Sequence, residues 1–417
     1  MGLGFPVIWL ATWKLQPAQR RFIVPVLGGA LLLRMAMSIV FATVPATRIY
    51  HQDAAESEIV ARLIANFWMG EGPPIDYLIS PKNYGINYVF AGFLYVFGRF
   101  PLNAAILNSL IGTLNPLLVY AIGLKLFHEA VARRAALLAA FFPSMIIWSS
   151  MALKDPLMSF MILFALLFCV RLRERFSFVN LTGTLLPIIA CYPIRFYLVY
   201  FIGASVLGTM ALNRPGRRVG GLSKQVILVA GLMAVIVGFG LMGSAMEDFN
   251  SFFNLEFVST YRHGMAASAN SGFAQDVDIS TPGGAIAFLP LGLSTLIWSP
   301  FPWQMVSLGP IMTLPEMLMW WSLGPALMRG FLYALRKRFS DYSPIIVFAT
   351  TLLIGYSLTM GNLGAAFRMR AQVFNLLFLF VAFGEHLARK SKPASNQPRA
   401  PSPGHTLPDI ERASGAR

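Results

Sequence analysis

Two carboxylates stand at the edges of apolar runs. Asp155 lies in Leu153, Lys154, Asp155, Pro156, at the mouth of a lipid-length segment, and Asp53 follows His51 and Gln52. A carboxylate beside lipid is costly and calls for a reason. The bland reason is helix capping, because each acid opens a segment expected to be helical and Asp155 precedes a proline suited to a first helical position. The chemical reason is a shared site. Two carboxylates can divide acid and base work between them, or hold a divalent cation through oxygen ligands.

Several cations could act beside them. Lys82, in Ser80, Pro81, Lys82, Asn83, Tyr84, heads an aromatic apolar stretch, where a lysine either snorkels to headgroups or binds a lipid phosphate. Arg195 sits in a hairpin, Tyr192 to Tyr197, too tight to be more than a turn. Arg368 and Arg370 fall in the segment expected to join the last two spans, on the face where basic residues are otherwise few. They call for an anionic partner, either a phosphate or Glu316 at the head of an earlier span. Arg262 and His263 could assist from a second loop, although a lone His is more often structural. No Gly-rich nucleotide loop, HExxH or GxSxG is present, which disfavours soluble-type nucleotide and hydrolase chemistry.

The elements that must position these groups are membrane helices. The 417 residues are 56% hydrophobic and only 12% charged, with a mean hydropathy of +0.62. That composition gives an all-α polytopic integral membrane protein. About ten transmembrane helices are expected, near 22–44, 102–124, 135–151, 156–170, 178–193, 196–212, 225–244, 312–334, 343–360 and 371–387. The stretches 84–98 and 284–300 are read as interfacial or re-entrant, with Trp298 and Trp303 as headgroup anchors. The first run is interrupted by Arg34 and has no small-residue cleavage site after it, so it is a retained span. Arg34 is the one charge set deep in an expected span.

The formal charge of +15 comes in short clusters at the ends of apolar runs, a topology signal and not a nucleic-acid footprint. Placing those clusters inside puts both termini in the cytoplasm: residues 1–21, and a Pro, Ser and Arg-rich tail at 388–417 expected to be disordered. Most acids then fall on the opposite face, largely in two long loops, 45–101 and 245–311. Loops of that length in a compact protein usually carry function. Cys169 and Cys191 both fall in spans and offer neither a disulfide framework nor a metal set.

Asp53 after the first span, Lys82 before an aromatic helix, and Leu153, Lys154, Asp155, Pro156 after the third together resemble the GT-C glycosyltransferases that use lipid carriers. The likeness is best over residues 20–200, and is greatest to the aminoarabinose transferase of lipid A and the protein O-mannosyltransferases. The resemblance implies a GT-C-like transmembrane domain over 22–387. It implies an inverting transfer of a sugar from a polyprenyl-phosphate donor to a glycan, lipid or protein acceptor on the extracytoplasmic, periplasmic side of a bacterial inner membrane. Asp53 would be the general base, Asp155 a second acid supporting the site or a cation, and Lys82 a contact to the carrier phosphate. Arg368 and Arg370 are assigned by chemistry to the leaving phosphate. His51, Gln52, Asp53 lacks the paired Asp and Glu of many members, which leaves metal dependence open. An O-antigen or exopolysaccharide polymerase or ligase is the alternative within surface-glycan assembly. A lipid-linked glycan transporter is the alternative from another class, and would place ionisable groups mid-membrane in several spans.

Overall fold

The computed structural model describes residues 4–44, 52–72, 84–100, 102–212, 231, 254–267, 271–305 and 311–391. In chain order the helices are α1 (Gly4–Thr12), α2 (Pro17–Thr43), α3 (Gln52–Trp68), α4 (Gly85–Phe97), α5 (Leu102–Leu126), α6 (Glu129–Phe141), α7 (Pro143–Ser149) and α8 (Asp155–Glu174). There follow α9 (Phe178–Cys191), α10 (Tyr197–Ala211), α11 (Leu255–Ala267), α12 (Pro282–Trp298), α13 (Leu314–Lys337), α14 (Phe339–Thr359) and α15 (Leu363–Ser391). Helices are the outcome lipid demands, because no water is available there to satisfy open backbone groups.

The all-α polytopic expectation holds, but the helices divide the work unevenly. α2, α5, α8, α14 and α15 are each long and apolar enough to cross a membrane. The pair α6 and α7, bent by 52° at Phe142 and Pro143, makes a sixth crossing if taken as one span. The segments expected at 178–193 and 196–212 are helices of 14 and 15 residues, short of the ~20 that a full crossing takes. α13 is long, at 24 residues, but amphipathic, with Glu316 in its first turn and Arg336 and Lys337 in its last. The span expected at 225–244 and the tail beyond Ser391 lie outside the described residues. α4 has 13 residues and α12 has 17, in keeping with the shorter-than-span reading of those two stretches.

α15 is the central post. It packs against α13, α6, α8, α14 and α12, and Val373 to Phe383 is buried without interruption. Where α13 crosses α15, a Cβ on Gly330 would overlap the Phe380 carbonyl, and one on Gly384 would overlap the Ala326 carbonyl. Small residues at that crossing let the two backbones touch, the usual way membrane helices gain contact without a hydrophobic drive. Trp320, fully buried, stacks on Phe374 at 4.0 Å and donates from Nε1 to Ile297 O at 2.8 Å, tying α13 to both α15 and α12. Trp298 leans on Trp320 at 5.8 Å and packs inside the bundle, while Trp303 stays exposed and stacks on Phe301.

The bundle has two chemically distinct ends. At one, Lys125 pairs with Glu174 at 2.6 Å, Arg134 with Glu385 at 2.8 Å, and Arg173 bonds Ser343 and the Ser340 and Leu212 carbonyls. At the other lie Asp155, the first turns of α15, and α3 and α4. α8, with 20 residues, separates the two ends by about 30 Å.

Candidate active site

Asp155 is the first residue of α8, behind Lys154 at the N-cap, and no side chain caps this helix. The segment leading to it is held from below. Arg34 Nε donates to Ser149 Oγ at 2.8 Å, Ser38 Oγ to Ser150 O at 2.9 Å, and Asn108 Nδ2 to Leu153 O at 2.7 Å. These bonds fix the backbone from 149 to 154 and so aim the acid that follows. Both carboxylate oxygens are turned into the bundle instead of back onto the helix: Oδ1 accepts from Arg195 Nη2 and from Gln372 Nε2, each at 3.0 Å, and Oδ2 faces Arg368 Nε at 3.1 Å. The capping explanation for Asp155 therefore falls. The side chain is 1% exposed and serves as the hub of a charged cluster.

Arg368 joins the two acids. Its Nη1 is ion-paired with Asp53, in the first turn of α3, while its Nε lies against Asp155. Asp53 is the open member, with a side chain 64% exposed against 19% for Arg368. Arg195, 1% exposed, is delivered by the turn between α9 and α10; its ring neighbour Tyr197 lies 5.9 Å away, and among the described residues its Nη1 has no hydrogen-bond partner. That turn is docked on α4, where Gly85 N donates to Pro193 O at 2.9 Å and a Cβ at Gly85 would lie 2.8 Å from Pro193. Lys154 completes the set. Burial, with the nearby Arg195 and Arg368 charges, pulls its amine down to about 8, while Asp155 and Asp53 hold it up.

Thus four of the residues singled out by sequence, Asp53, Asp155, Arg195 and Arg368, form one cluster. Lys82 lies outside the described residues. Arg370 and Glu316 form a separate unit: Arg370 Nη2 meets Glu316 Oε1 at 3.1 Å, Nη1 donates to Ser299 O, and the guanidinium lies 3.8 Å from the Phe367 ring and 4.9 Å from Phe374. Both side chains are shut away, at 1% and 4% exposure, and neither reaches the cluster around Asp155. The physical reason is helical. Arg368 and Arg370 are in the second turn of α15, not in a loop, and residues two apart point about 200° from each other. Arg370 is also a buried charge within a helix, so Arg34 does not stand alone in that respect.

Arg262 and His263 are likewise kept elsewhere. Arg262 donates to Val277 O and Ala274 O, lies 4.3 Å from Phe288, and braces the outer helices; His263 Nε2 bonds Val277 O at 3.0 Å. Sequence reasoning missed Gln372, which donates to Asp155 and receives the Tyr356 hydroxyl hydrogen bond at its Oε1. Its signal was present: Arg368, Gln372 and Asn375 recur at i, i+4 and i+7, one polar stripe on an apolar helix.

A cation would have to sit between Asp53 and Asp155. That place is taken by the Arg368 guanidinium, and among the described residues no group of three or more His, Cys, Asp or Glu gathers. Three cations, Lys154, Arg195 and Arg368, already surround two acids. The residues present do not fit a divalent metal; the excess positive charge fits an anion.

Fold and site together define a multi-pass membrane protein with an acid-bearing, cationic cluster at one end of its helix bundle. The dolichyl-phosphate-mannose-protein mannosyltransferase family model matches residues 82–240, and the match supports a glycosyltransferase of the GT-C type. Lys82, Lys154, Asp155 and Arg195 fall inside the matched stretch, while Asp53, Glu316, Arg368 and Arg370 lie outside it. No curated protein and no solved structure matches the chain.

Proposed function

We propose that this chain moves a sugar from a polyprenyl-phosphate carrier to an acceptor hydroxyl on the extracytoplasmic face of a bacterial inner membrane, with inversion, in the assembly of surface glycan or in lipid or protein glycosylation. The observation that carries the reading is the sharing of one arginine by two acids. Arg368 holds the exposed Asp53 and the buried Asp155 at once, inside a cluster whose cations outnumber its acids.

The chemistry follows from that charge excess. A carrier phosphate brings the missing negative charge and draws on Arg368, Arg195 and Lys154. Engaging Arg368 loosens its hold on Asp53, whose carboxylate then takes the acceptor proton as the acceptor oxygen attacks the anomeric carbon. The bond from that carbon to the phosphate oxygen breaks, and the electron pair leaves with the phosphate, whose added charge the same cations absorb. The donor therefore precedes the acceptor. Asp155, touching no substrate, fixes Arg195, Arg368 and Gln372 in place. Lys82 keeps its proposed contact with the carrier phosphate. Arg370 and Glu316 are proposed as the wall that sets the pitch of α15.

The test is glycan output from cells carrying Asp53→Asn at matched protein level. Loss of one sugar supports the transferase, accumulation of single repeat units points to a polymerase, and unchanged output removes the proposal.

A further inference from the structure

Beneath Asp155 lies a small cavity of about 20 Å³ with mixed polar and apolar walls. Its walls include Arg34 from α2, Asn115 from α5, Trp148 from α7, Asp155 from α8 and Asn375 from α15. The two amides are each satisfied at one end only. Asn115 Nδ2 donates to Pro156 O at 3.2 Å and Asn375 Nδ2 to Ala371 O at 3.0 Å, while both Oδ1 atoms are buried with no partner among the described residues. Trp148 Nε1 is a third buried polar atom with none among them. Exchanging N and O of either amide would leave an unpaired donor in place of the acceptor, so the deficit does not depend on that assignment.

Arg34 has a matching deficit. Its guanidinium, 1% exposed, bonds Ser149 Oγ at 2.8 Å, Ala30 O at 3.1 Å and Ala140 O at 3.0 Å, and every one of these partners is neutral. A buried cation is expected to find an anion. The carboxylate bordering the same cavity is Asp155. Close approach is built in here: a Cβ at Gly112 would overlap the Ser149 side chain and stand 3.3 Å from Arg34 Nε.

We propose that this cavity is a water site that completes the surroundings of Asp155. Ordered water there accepts from Trp148 Nε1, donates to Asn115 Oδ1 and Asn375 Oδ1, and links the Asp155 carboxylate to the Arg34 guanidinium. The volume suits one or two water molecules, and three convergent unpaired groups supply the two to four partners a buried water needs. Dry cavities are lined by apolar groups alone, whereas this one, beside Ala139, Met145 and Ala371, also presents a carboxylate, a guanidinium and two amides. Asn115 and Asn375 are then positioning residues: through water they hold the face of Asp155 that Arg195 and Gln372 leave open. The positioning role rests on the transferase reading; the water site does not.

The experiment is an electron cryomicroscopy reconstruction of the full chain in lipid nanodiscs, at a resolution that shows ordered water, for the native protein and for Asn375→Leu. Density within hydrogen-bond distance of Asn115, Asn375 and Trp148 is expected in the native map and its loss in Asn375→Leu. A native map with these side chains resolved and the cavity dry or collapsed overturns the site. In cells at matched protein level, Asn375→Leu is expected to cut glycan output about tenfold, and Asn375→Ser, which leaves room for water, to restore it. Equal output from the two variants overturns the positioning role. Water present beside unchanged glycan output from Asp53→Asn removes the transferase reading and keeps the site, whereas a dry cavity beside lost output from Asp53→Asn does the reverse.

Discussion

Arg368 and Arg370 are the same residue type two positions apart on α15, yet they live in different chemistry. Arg370 is closed: a carboxylate matches its charge, and a backbone carbonyl and two aromatic faces line it, out of reach of solvent. Arg368 is shared between an exposed acid and a buried one, within a cluster that carries one more positive charge than negative. The contrast teaches that an unexpected arginine at a membrane edge signals a site only when its counter-charge is incomplete. A matched pair is architecture.

The largest test of that contrast removes the acids on each side. Asp53→Asn is expected to lower transfer by about 10²- to 10⁴-fold with little change in melting temperature, because the side chain is 64% exposed. Asp155→Asn is expected to lower both, since it leaves the buried Arg195 without its partner. By contrast, Glu316→Gln should cost about 3–5 kcal/mol of stability, read as a fall in melting temperature, while transfer per folded molecule holds. Pairing Glu316→Leu with Arg370→Met should recover the stability. If transfer per folded molecule fell in Glu316→Gln as far as in Asp53→Asn, the distinction between the two arginines would break.

Smaller changes sharpen it. Arg368→Lys keeps the charge and loses the fork that spans two acids, so about a tenfold loss of transfer is expected, with Arg370→Lys affecting melting instead. Lys154 adds a pH dependence. Its amine is charged below about 8 and neutral above, so its pull on a donor phosphate is present at lower pH and lost as pH rises through about 8. Donor KM should therefore rise across that window and stay flat in Lys154→Arg. Stability moves the other way, because between about 8 and the ordinary 10.5 the unfolded chain binds the proton that the folded one has shed. The smallest effect belongs to the half-buried Arg62 and Glu58 pair on α3, 2.8 Å apart at i,i+4, where Arg62→Ala should cost no more than about 1 kcal/mol.

Much of the site was legible before any coordinates. Asp53, Asp155, Arg195 and Arg368 were each marked by the cost of a charge near lipid, and the charge asymmetry of the loops put them on one face. What misled was the boundary of the last helix. Starting α15 near residue 371 left Arg368 and Arg370 as loop neighbours with a common role, whereas its start at Leu363 turns them to opposite sides. The same boundary hid Gln372 as one more residue in an apolar run. The unequal lengths of the apolar helices have a related origin: apolar length predicts burial in a nonpolar medium, and a protein interior meets that description as well as lipid does. α9 and α10 are apolar but too short, and helices such as α15 find much of that medium in their neighbours.

The sequence by itself determined a helical membrane protein, the segregation of charge to the helix ends, and the residue types able to bind a phosphate and accept a proton. Those follow from composition and local periodicity, which each segment carries alone. Only the tertiary structure decided which charges meet. Asp53 and Arg368 are 315 residues apart along the chain, Gln372 and Asp155 are 217, and Arg34 reaches Ser149 across 115. Such pairings depend on helix rotation and depth, and a helix turns about 100° per residue. An error of one residue in register points a side chain at a different neighbour, and packing among α2, α5, α8 and α15 is what removes that freedom.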